Sequence, residues 1–201
     1  MTLAAAILAV LVGLPAPACP PRATCASPAV RAEHLRRVAY AIASASERAT
    51  WTGPWAAADA TIGRRVWPGS AEELAAVLVT TGFWESRFSV AVQAGRCLPT
   101  GCGPRWRLAV SDWQIEQSAA VSPALWRSLR GLGEVPISDA AWTSARLLAL
   151  SRGHCAARAR DWVEPTLSGY ALGSACSWSG AARRVPMVWS VMYRLRRLMA
   201  R

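Results

Sequence analysis

Residues 70–88, SAEELAAVLVTTGFWESRF, decide the fold because they predict one long central helix. Ser70 is followed three positions later by Glu73, which is the arrangement of a capping box at a helix start. Apolar side chains and one threonine then recur at helical spacing and define one face: Leu74, Val77, Leu78, Thr81 and Phe88. This segment is therefore expected to be buried and to organise the helices around it.

Glu85 is the residue of this helix that could carry chemistry. It lies seven positions after Leu78 and four after Thr81, so a continuous helix would project it from the apolar face. A carboxyl group there would be partly removed from water and could hold a proton near neutral pH, as a general acid must. Alternatively, the run TTG at 80–82 ends the helix early and leaves Glu85 as an ion-pair partner of Arg87 or another arginine.

Composition limits the class of protein. The chain has 201 residues, enough for one domain with a substantial core, and it is 53% hydrophobic and 17% charged, which argues against global disorder. The net charge is +11 and every basic residue is arginine. Such a charge favours polyanionic partners, namely nucleic acid, an anionic membrane or an acidic cell envelope. Several of the eleven tryptophans could stack on sugar rings or bases at a cleft.

The N-terminus has the pattern of a secretion signal. An apolar run over residues 2–14 precedes Ala16-Pro17-Ala18, a small-residue cleavage site, although the usual basic start is missing. The alternative is an uncleaved membrane anchor, for which the run is short. We therefore predict a signal peptide at 1–18, a linker at 19–29 and a single domain at 30–201.

Six cysteines in an exported chain suggest disulfides rather than a metal site. The local pairing that we expect, among 15 possible connectivities, is Cys19–Cys25, Cys97–Cys102 and Cys155–Cys176. No CxxC occurs, and His34 and His154 do not form a ligand cluster with the cysteines. We predict no metal and no cofactor.

Helical periodicity dominates the rest of the chain, so the predicted fold class is mainly α, with a small irregular or β element near 90–115. His34 is expected to be solvated on a helix over 30–50. The last helix, with its arginines, could touch a membrane or dock on the core. Further helices are expected near 56–62, 122–131, 138–153, 155–163 and 185–199, with a break at Glu164-Pro165.

Three short motifs follow one another in the chain: Glu85-Ser86-Arg87-Phe88, Ser111-Asp112-Trp113-Gln114-Ile115 and Tyr170-Ala171-Leu172-Gly173. In this order they resemble the lysozyme-like superfamily, in particular soluble lytic transglycosylases and goose-type lysozymes. The resemblance covers about residues 70–185 and implies an α+β lysozyme-like fold. It also implies a β-1,4 glycosidase that cuts peptidoglycan between N-acetylmuramic acid and N-acetylglucosamine.

The resemblance implies a role for several residues. Glu85 matches the catalytic acid, Gln114 the cleft glutamine of the second motif, and Tyr170 a tyrosine close to the acid. Two positions depart from the family pattern, because Ser111 stands where glycine is usual and Ala171 where asparagine is usual.

Three more residues in these motifs are candidates for substrate binding. Ser86 follows the acid directly, and Trp113 could stack on a sugar or pack in the core. Asp112 could act as a second carboxylate, or as a loop cap or arginine partner.

The expected partners are glycan strands of peptidoglycan and the anionic cell envelope, met by a secreted or periplasmic monomer. The alternative is a non-catalytic module of the same fold that binds glycan or a partner protein. A nucleic-acid binder would rest on charge and tryptophans alone, since no recognised nucleic-acid motif is present, so we predict no specific nucleic-acid partner.

Overall fold

The computed structural model describes residues 1–15, 25–50, 67–94, 109–116, 136–155, 161–172, 176 and 178–201. Over these residues the protein is mainly helical, as predicted. The elements in chain order are α1 (Leu3–Val12), α2 (Pro28–Thr50), α3 (Ala71–Ser86), α4 (Val90–Gln93), β1 (Ala109–Val110), β2 (Ile115–Glu116), α5 (Ile137–Cys155), α6 (Val163–Leu172) and α7 (Ser179–Met199).

Helix α3 is the central element. Its residues from 74 to 83 are all buried, and it packs against α1, α2 and α7. Ser70 caps the helix, since its hydroxyl oxygen accepts a hydrogen bond from the backbone N–H of Glu73 at 3.3 Å. The helix continues to Ser86, so the alternative in which residues 80–82 end it early is wrong. The buried apolar sequence of α3 therefore carries Glu85 to the end of an uninterrupted helix.

Helix α2 packs against α1, α3 and α5. Leu35, Val38 and Ile42 are buried on its inner face, as the periodicity predicts. His34 is buried too, with 6% of its side chain exposed, so the prediction that it is solvated is wrong. The reason is helical spacing, because His34 lies four residues before Val38 and therefore shares its face.

Helix α6 runs through the position at which the sequence predicts a break. The predicted break at Glu164-Pro165 is wrong, because the helix starts at Val163 and includes both residues in its first turn. The carboxylate of Asp161 accepts a hydrogen bond from the backbone N–H of Val163 at 2.7 Å. Proline fits a first turn because its missing N–H has no partner to lose there.

One predicted disulfide is confirmed. Cys155, the last residue of α5, is bonded to Cys176, and their Cα atoms lie 5.2 Å apart. The bond fixes the end of α5 to the segment that leads into α7. Cys25 is also disulfide-bonded, whereas Cys19 and the predicted Cys97–Cys102 pair lie outside the described residues.

The C-terminal helix α7 is docked on the core. Its apolar face packs against α1, α3 and α6, and the buried residues are Ala181, Val188, Val191, Met192 and Leu195. The expectation that this helix docks on the protein core is confirmed.

Helix α1 contributes to the same core. Leu3, Ile7, Val10 and Leu11 are buried, and the helix contacts α2, α3 and α7. The cleavage of residues 1–18 concerns processing and stays a prediction. None of the helices in the described ranges has both the length and the apolar character needed to cross a membrane.

Two tryptophan rings lie against one arginine where α5, α6 and α7 meet, and a third tryptophan packs on one of them. The Arg152 guanidinium lies 4.6 Å from the Trp67 ring and 4.4 Å from the Trp162 ring, and Trp162 meets Trp189 edge to face. Burial lowers the pKa of Arg152, and the nearby carboxylate of Glu73 opposes this effect. Tryptophan here stabilises helix packing through cation–π and edge-to-face contacts.

The two strands form a small antiparallel pair in which Ala109 faces Glu116 and Val110 faces Ile115. Residues 95–108 lie outside the described ranges, so most of the element expected near 90–115 is not described. The helices expected near 56–62 and 122–131 fall outside them as well. The strand pair encloses the tight turn 111–114, which packs on the end of α3.

Candidate functional site at the end of helix α3

The chain reverses sharply where α3 ends. Arg87 and Phe88 both adopt left-handed backbone conformations, with φ of 52° and 54°, which non-glycine residues enter only when the surroundings hold them there. The Ser86 hydroxyl accepts a hydrogen bond from the backbone N–H of Phe88 at 3.0 Å. Phe88 then turns back into the core, and Gly82 leaves the space for its ring: a Cβ at Gly82 would lie 2.5 Å from Phe88 Cε1.

A buried polar network ties this helix end to the strand turn. The Ser86 hydroxyl lies 2.9 Å from Oδ1 of Asp112 and 3.1 Å from the carbonyl oxygen of Gly82, so its single proton can serve either acceptor. Oδ2 of Asp112 lies 3.0 Å from Nε2 of His34 on α2. The backbone N–H of Asp112 donates to Oε1 of Gln93 at 2.9 Å. Asp112 thus joins α2 and α3 to the turn through its carboxyl group, and α4 through its backbone N–H.

This geometry changes the roles predicted for Asp112 and Ser86. Asp112 is fully buried, so it cannot face a substrate, and its predicted role as second carboxylate is wrong. A role as arginine partner stays a prediction. Ser86 is also buried and uses its hydroxyl within the network, so the predicted substrate contact is wrong for it as well. Both residues act by positioning the end of α3.

The turn 111–114 has an unusual backbone. Ser111 has φ of 69° and Gln114 has φ of 49°, both in the left-handed region that favours glycine. The side-chain amide of Gln114 donates to the carbonyl oxygen of Ser111 at 2.9 Å and closes the turn. Gln114 is partly exposed and remains a candidate for substrate contact.

Trp113 anchors the turn to α3. Its indole N–H donates to the carbonyl oxygen of Leu78 at 2.9 Å, and its ring meets that of Phe88 edge to face, with centroids 6.3 Å apart. The side chain is fully buried. It has no free ring face, so the core-packing alternative is correct and the predicted stacking on a sugar is wrong.

Tyr170 on α6 reaches the same turn. Its hydroxyl donates to the carbonyl oxygen of Trp113 at 2.7 Å and lies 3.4 Å from the Ser144 hydroxyl. The third motif is therefore in contact with the second, 57 residues away in sequence. A hydrogen bond from Tyr170 to Glu85 or to substrate stays a prediction.

Glu85 lies beside this assembly at the surface. Its side chain is 24% exposed, and Oε1 lies 2.6 Å from Nη1 of Arg184 on α7. The Arg184 guanidinium is also 5.6 Å from the Trp84 ring and 4.7 Å from the Trp178 ring. Glu85 is thus partly buried in an ion pair, which agrees with the alternative that an arginine is its partner. The sequence named no particular arginine except Arg87, whose guanidinium instead lies over the Phe83 ring.

Several residues of the site were missed by the sequence reasoning, and His34 and Arg184 have the clearest roles among them. The burial of His34 could have been inferred from its spacing to Val38. Arg184 had no comparable signal, because it is 99 residues from Glu85 and only the packing of α7 on α3 brings them together. Among the described residues no group of histidine, cysteine and acidic side chains could hold a metal ion.

Comparisons with known proteins add no relative. No protein-family model, curated protein or solved structure matches this chain. The resemblance to the lysozyme-like superfamily therefore rests on the three short motifs alone.

Proposed function

We propose that this protein is a secreted or periplasmic peptidoglycan glycosidase that uses Glu85 as general acid and base. One observation carries the proposal: the three motif segments, far apart in sequence, meet at the end of α3. Ser86 contacts Asp112, and Tyr170 contacts the backbone of Trp113. Chance matches to three motifs would have no reason to lie together, whereas parts of one active site must do so.

The backbone of the turn gives independent support. Ser111 occupies the position at which the family pattern has glycine, and its φ of 69° lies in the region that glycine enters most readily. Although serine replaces the glycine of the motif, the backbone at Ser111 keeps the conformation that glycine would favour. This agreement concerns local conformation and does not depend on contacts between the motifs.

Glu85 would act in two steps. Its protonated carboxyl donates a proton to the glycosidic oxygen as the C1–O bond of the muramyl sugar breaks. The resulting carboxylate then takes a proton from the group that attacks C1, which is water in a hydrolase or the C6 hydroxyl of the same sugar in a transglycosylase. Asp112 is buried away from this reaction, so assistance by the N-acetyl group of the sugar fits the site better than a second carboxylate.

The surface charge suits this substrate. The net charge of +11 would hold the protein near the carboxylates and phosphates of a bacterial envelope. Arginine provides all of this charge and can bind carboxylate or phosphate with two parallel hydrogen bonds. The proposed partners are therefore peptidoglycan glycan strands within an anionic envelope, approached by a monomer.

A second candidate is a non-catalytic module that binds glycan or an envelope protein. The ion pair between Glu85 and Arg184 at 2.6 Å favours it, because a carboxylate engaged by arginine is not in the form that donates a proton. For catalysis Arg184 must exchange this partner for another. The two candidates differ in whether soluble fragments are released from cell walls.

The test is the loss of turbidity of purified cell walls. We expect the wild-type chain to clear the suspension and Glu85→Gln to be slower by at least about a hundredfold, the lower range for loss of a general acid. Glu47→Gln is the matched control, since Glu47 is exposed on α2 and loses the same charge. Equal clearing by wild type and Glu85→Gln would reject the role of Glu85. Retention on walls without clearing would favour the binding module.

A further inference from the structure

Arg184 is held more firmly than a surface arginine usually is. Its side chain is 12% exposed, and its guanidinium lies near two indole rings and beside one carboxylate oxygen of Glu85. Trp84, one of these rings, is 41% exposed. Contacts of this kind fix the orientation of the guanidinium plane before any ligand arrives.

Arg184 loses its negatively charged partner when Glu85 becomes protonated. A general acid must be protonated when it meets the glycosidic oxygen, and protonation removes the negative charge that faces Arg184. The guanidinium would then be a largely buried cation without its partner, which is unfavourable. An anion supplied by the substrate would restore the balance of charge at Arg184.

We propose that Arg184 binds a carboxylate of the glycan substrate and thereby makes the site selective for anionic over neutral N-acetyl sugar polymers. The inference rests on the proposed function and extends it to a specificity-determining residue. N-acetylmuramic acid offers its lactyl carboxylate where no peptide is attached, and a carboxylate of the attached peptide where the lactyl group is amide-linked, whereas chitin carries no carboxylate. In the free protein Glu85 occupies the position of that anion on Arg184.

Arg184 and the neighbouring Trp84 are both suited to bind a sugar carboxylate in place of the Glu85 carboxylate. A guanidinium binds a carboxylate through two parallel N–H···O bonds, so the carboxylate of Glu85 and that of a sugar substituent are chemically equivalent partners. The exposed Trp84 ring beside the cation offers an apolar face to the adjacent sugar. Substrate binding and release of the acid from its ion pair are then a single event.

Binding can be measured without relying on catalysis. Glu85→Gln imitates the uncharged acid and leaves Arg184 free, so this variant is the reference. Sedimentation measures its affinity for purified cell walls and for the same walls with their carboxylates neutralised. The neutral walls are made by carbodiimide-activated coupling of the carboxylates to ammonia, which gives amides. We expect Glu85→Gln to bind the untreated walls about tenfold more tightly, the scale of one hydrogen-bonded charge pair.

Two double variants test whether Arg184 is responsible for this preference. Glu85→Gln/Arg184→Gln is expected to lose most of this preference and to keep only the part that the net positive charge supplies. Glu85→Gln/Arg183→Gln should keep it, because Arg183 is exposed one position earlier on the same helix and carries the same charge. An equal preference in the two double variants would overturn the role of Arg184. The helical signal in the circular dichroism spectrum of each variant verifies that the variant folds.

A cleavage assay separates this inference from the proposed function. The wild-type chain should release fragments from untreated walls about tenfold faster than from amidated walls, and this ratio should be much smaller for Arg184→Gln than for Arg183→Gln. If wild type releases nothing while the binding preference still depends on Arg184, the enzyme proposal fails and the carboxylate site stands. If wild type cleaves both substrates at the same rate, the carboxylate site fails and the enzyme proposal stands.

Discussion

Replacing Asp112 with asparagine tests whether the buried network holds the proposed site together. Asparagine has nearly the same shape and keeps an acceptor for the Ser86 hydroxyl, which lies 2.9 Å from Oδ1. The second oxygen becomes an NH₂ group that faces Nε2 of His34 across 3.0 Å. If Nε2 carries a proton, two donors then meet in a buried site.

The magnitude follows from the burial of both partners. Asp112 is fully buried and His34 is 6% exposed, so water cannot replace the lost contact. Oδ2 of Asp112 and Nε2 of His34 lie at ion-pair distance but make no hydrogen bond, so the substitution removes a close charge contact and leaves polar atoms buried without a partner, which costs about 1–3 kcal/mol. We therefore expect Asp112→Asn to lower the free energy of unfolding by about 1–3 kcal/mol.

Urea unfolding followed by circular dichroism measures this change. With a denaturant dependence of about 2 kcal/mol per molar urea, the midpoint should fall by about 1 M. Asp139→Asn is the control, since Asp139 is exposed in the first turn of α5 and its loss should change stability by less than about 1 kcal/mol. A midpoint within about 0.2 M of wild type would refute the reasoning, because it would mean that the Asp112–His34 contact contributes nothing.

Two further substitutions test the packing around α3 and α1. Gly82→Ala should destabilise the protein by about 1–2 kcal/mol in thermal unfolding, because the new methyl group overlaps the Phe88 ring. Gly153→Ala, with open space at its Cβ, should be neutral or stabilising by up to about 1 kcal/mol; equal effects would argue against the close fit at Gly82. Ile7→Ala in the full chain should cost about 2–4 kcal/mol because Ile7 is completely buried, whereas Val12→Ala at the exposed end of α1 should change little. An unaffected Ile7→Ala chain would show that α1 is not part of the core.

The central helix could be predicted from sequence because its signals are local. A capping serine, an uninterrupted apolar face and the absence of proline over 71–86 all point to the same element. The Cys155–Cys176 bond was also within reach, since both cysteines flank predicted helices. The predicted break at Glu164-Pro165 is wrong because proline, which ends a helix from within, fits the first helical turn that it occupies in α6.

The site itself could be predicted only in part. The motifs identified the segments that meet at the end of α3, but not which of their side chains are buried. Asp112 and Trp113 are buried in a turn in which Ser111 and Gln114 adopt left-handed conformations. Local propensity disfavours these conformations in non-glycine residues, and tertiary packing stabilises them here. The partner of Glu85 depends on how α7 docks on α3, which no local pattern in either helix specifies.

Mass spectrometry of the soluble products from purified peptidoglycan tests most directly whether Glu85 serves as an acid in glycan cleavage. We predict that wild type releases disaccharide-peptide fragments ending in either a reducing or an anhydro muramyl sugar, and that Glu85→Gln releases almost none while Glu47→Gln matches wild type. The same fragments in the same amounts from wild type and Glu85→Gln would contradict the role of Glu85 as the catalytic acid.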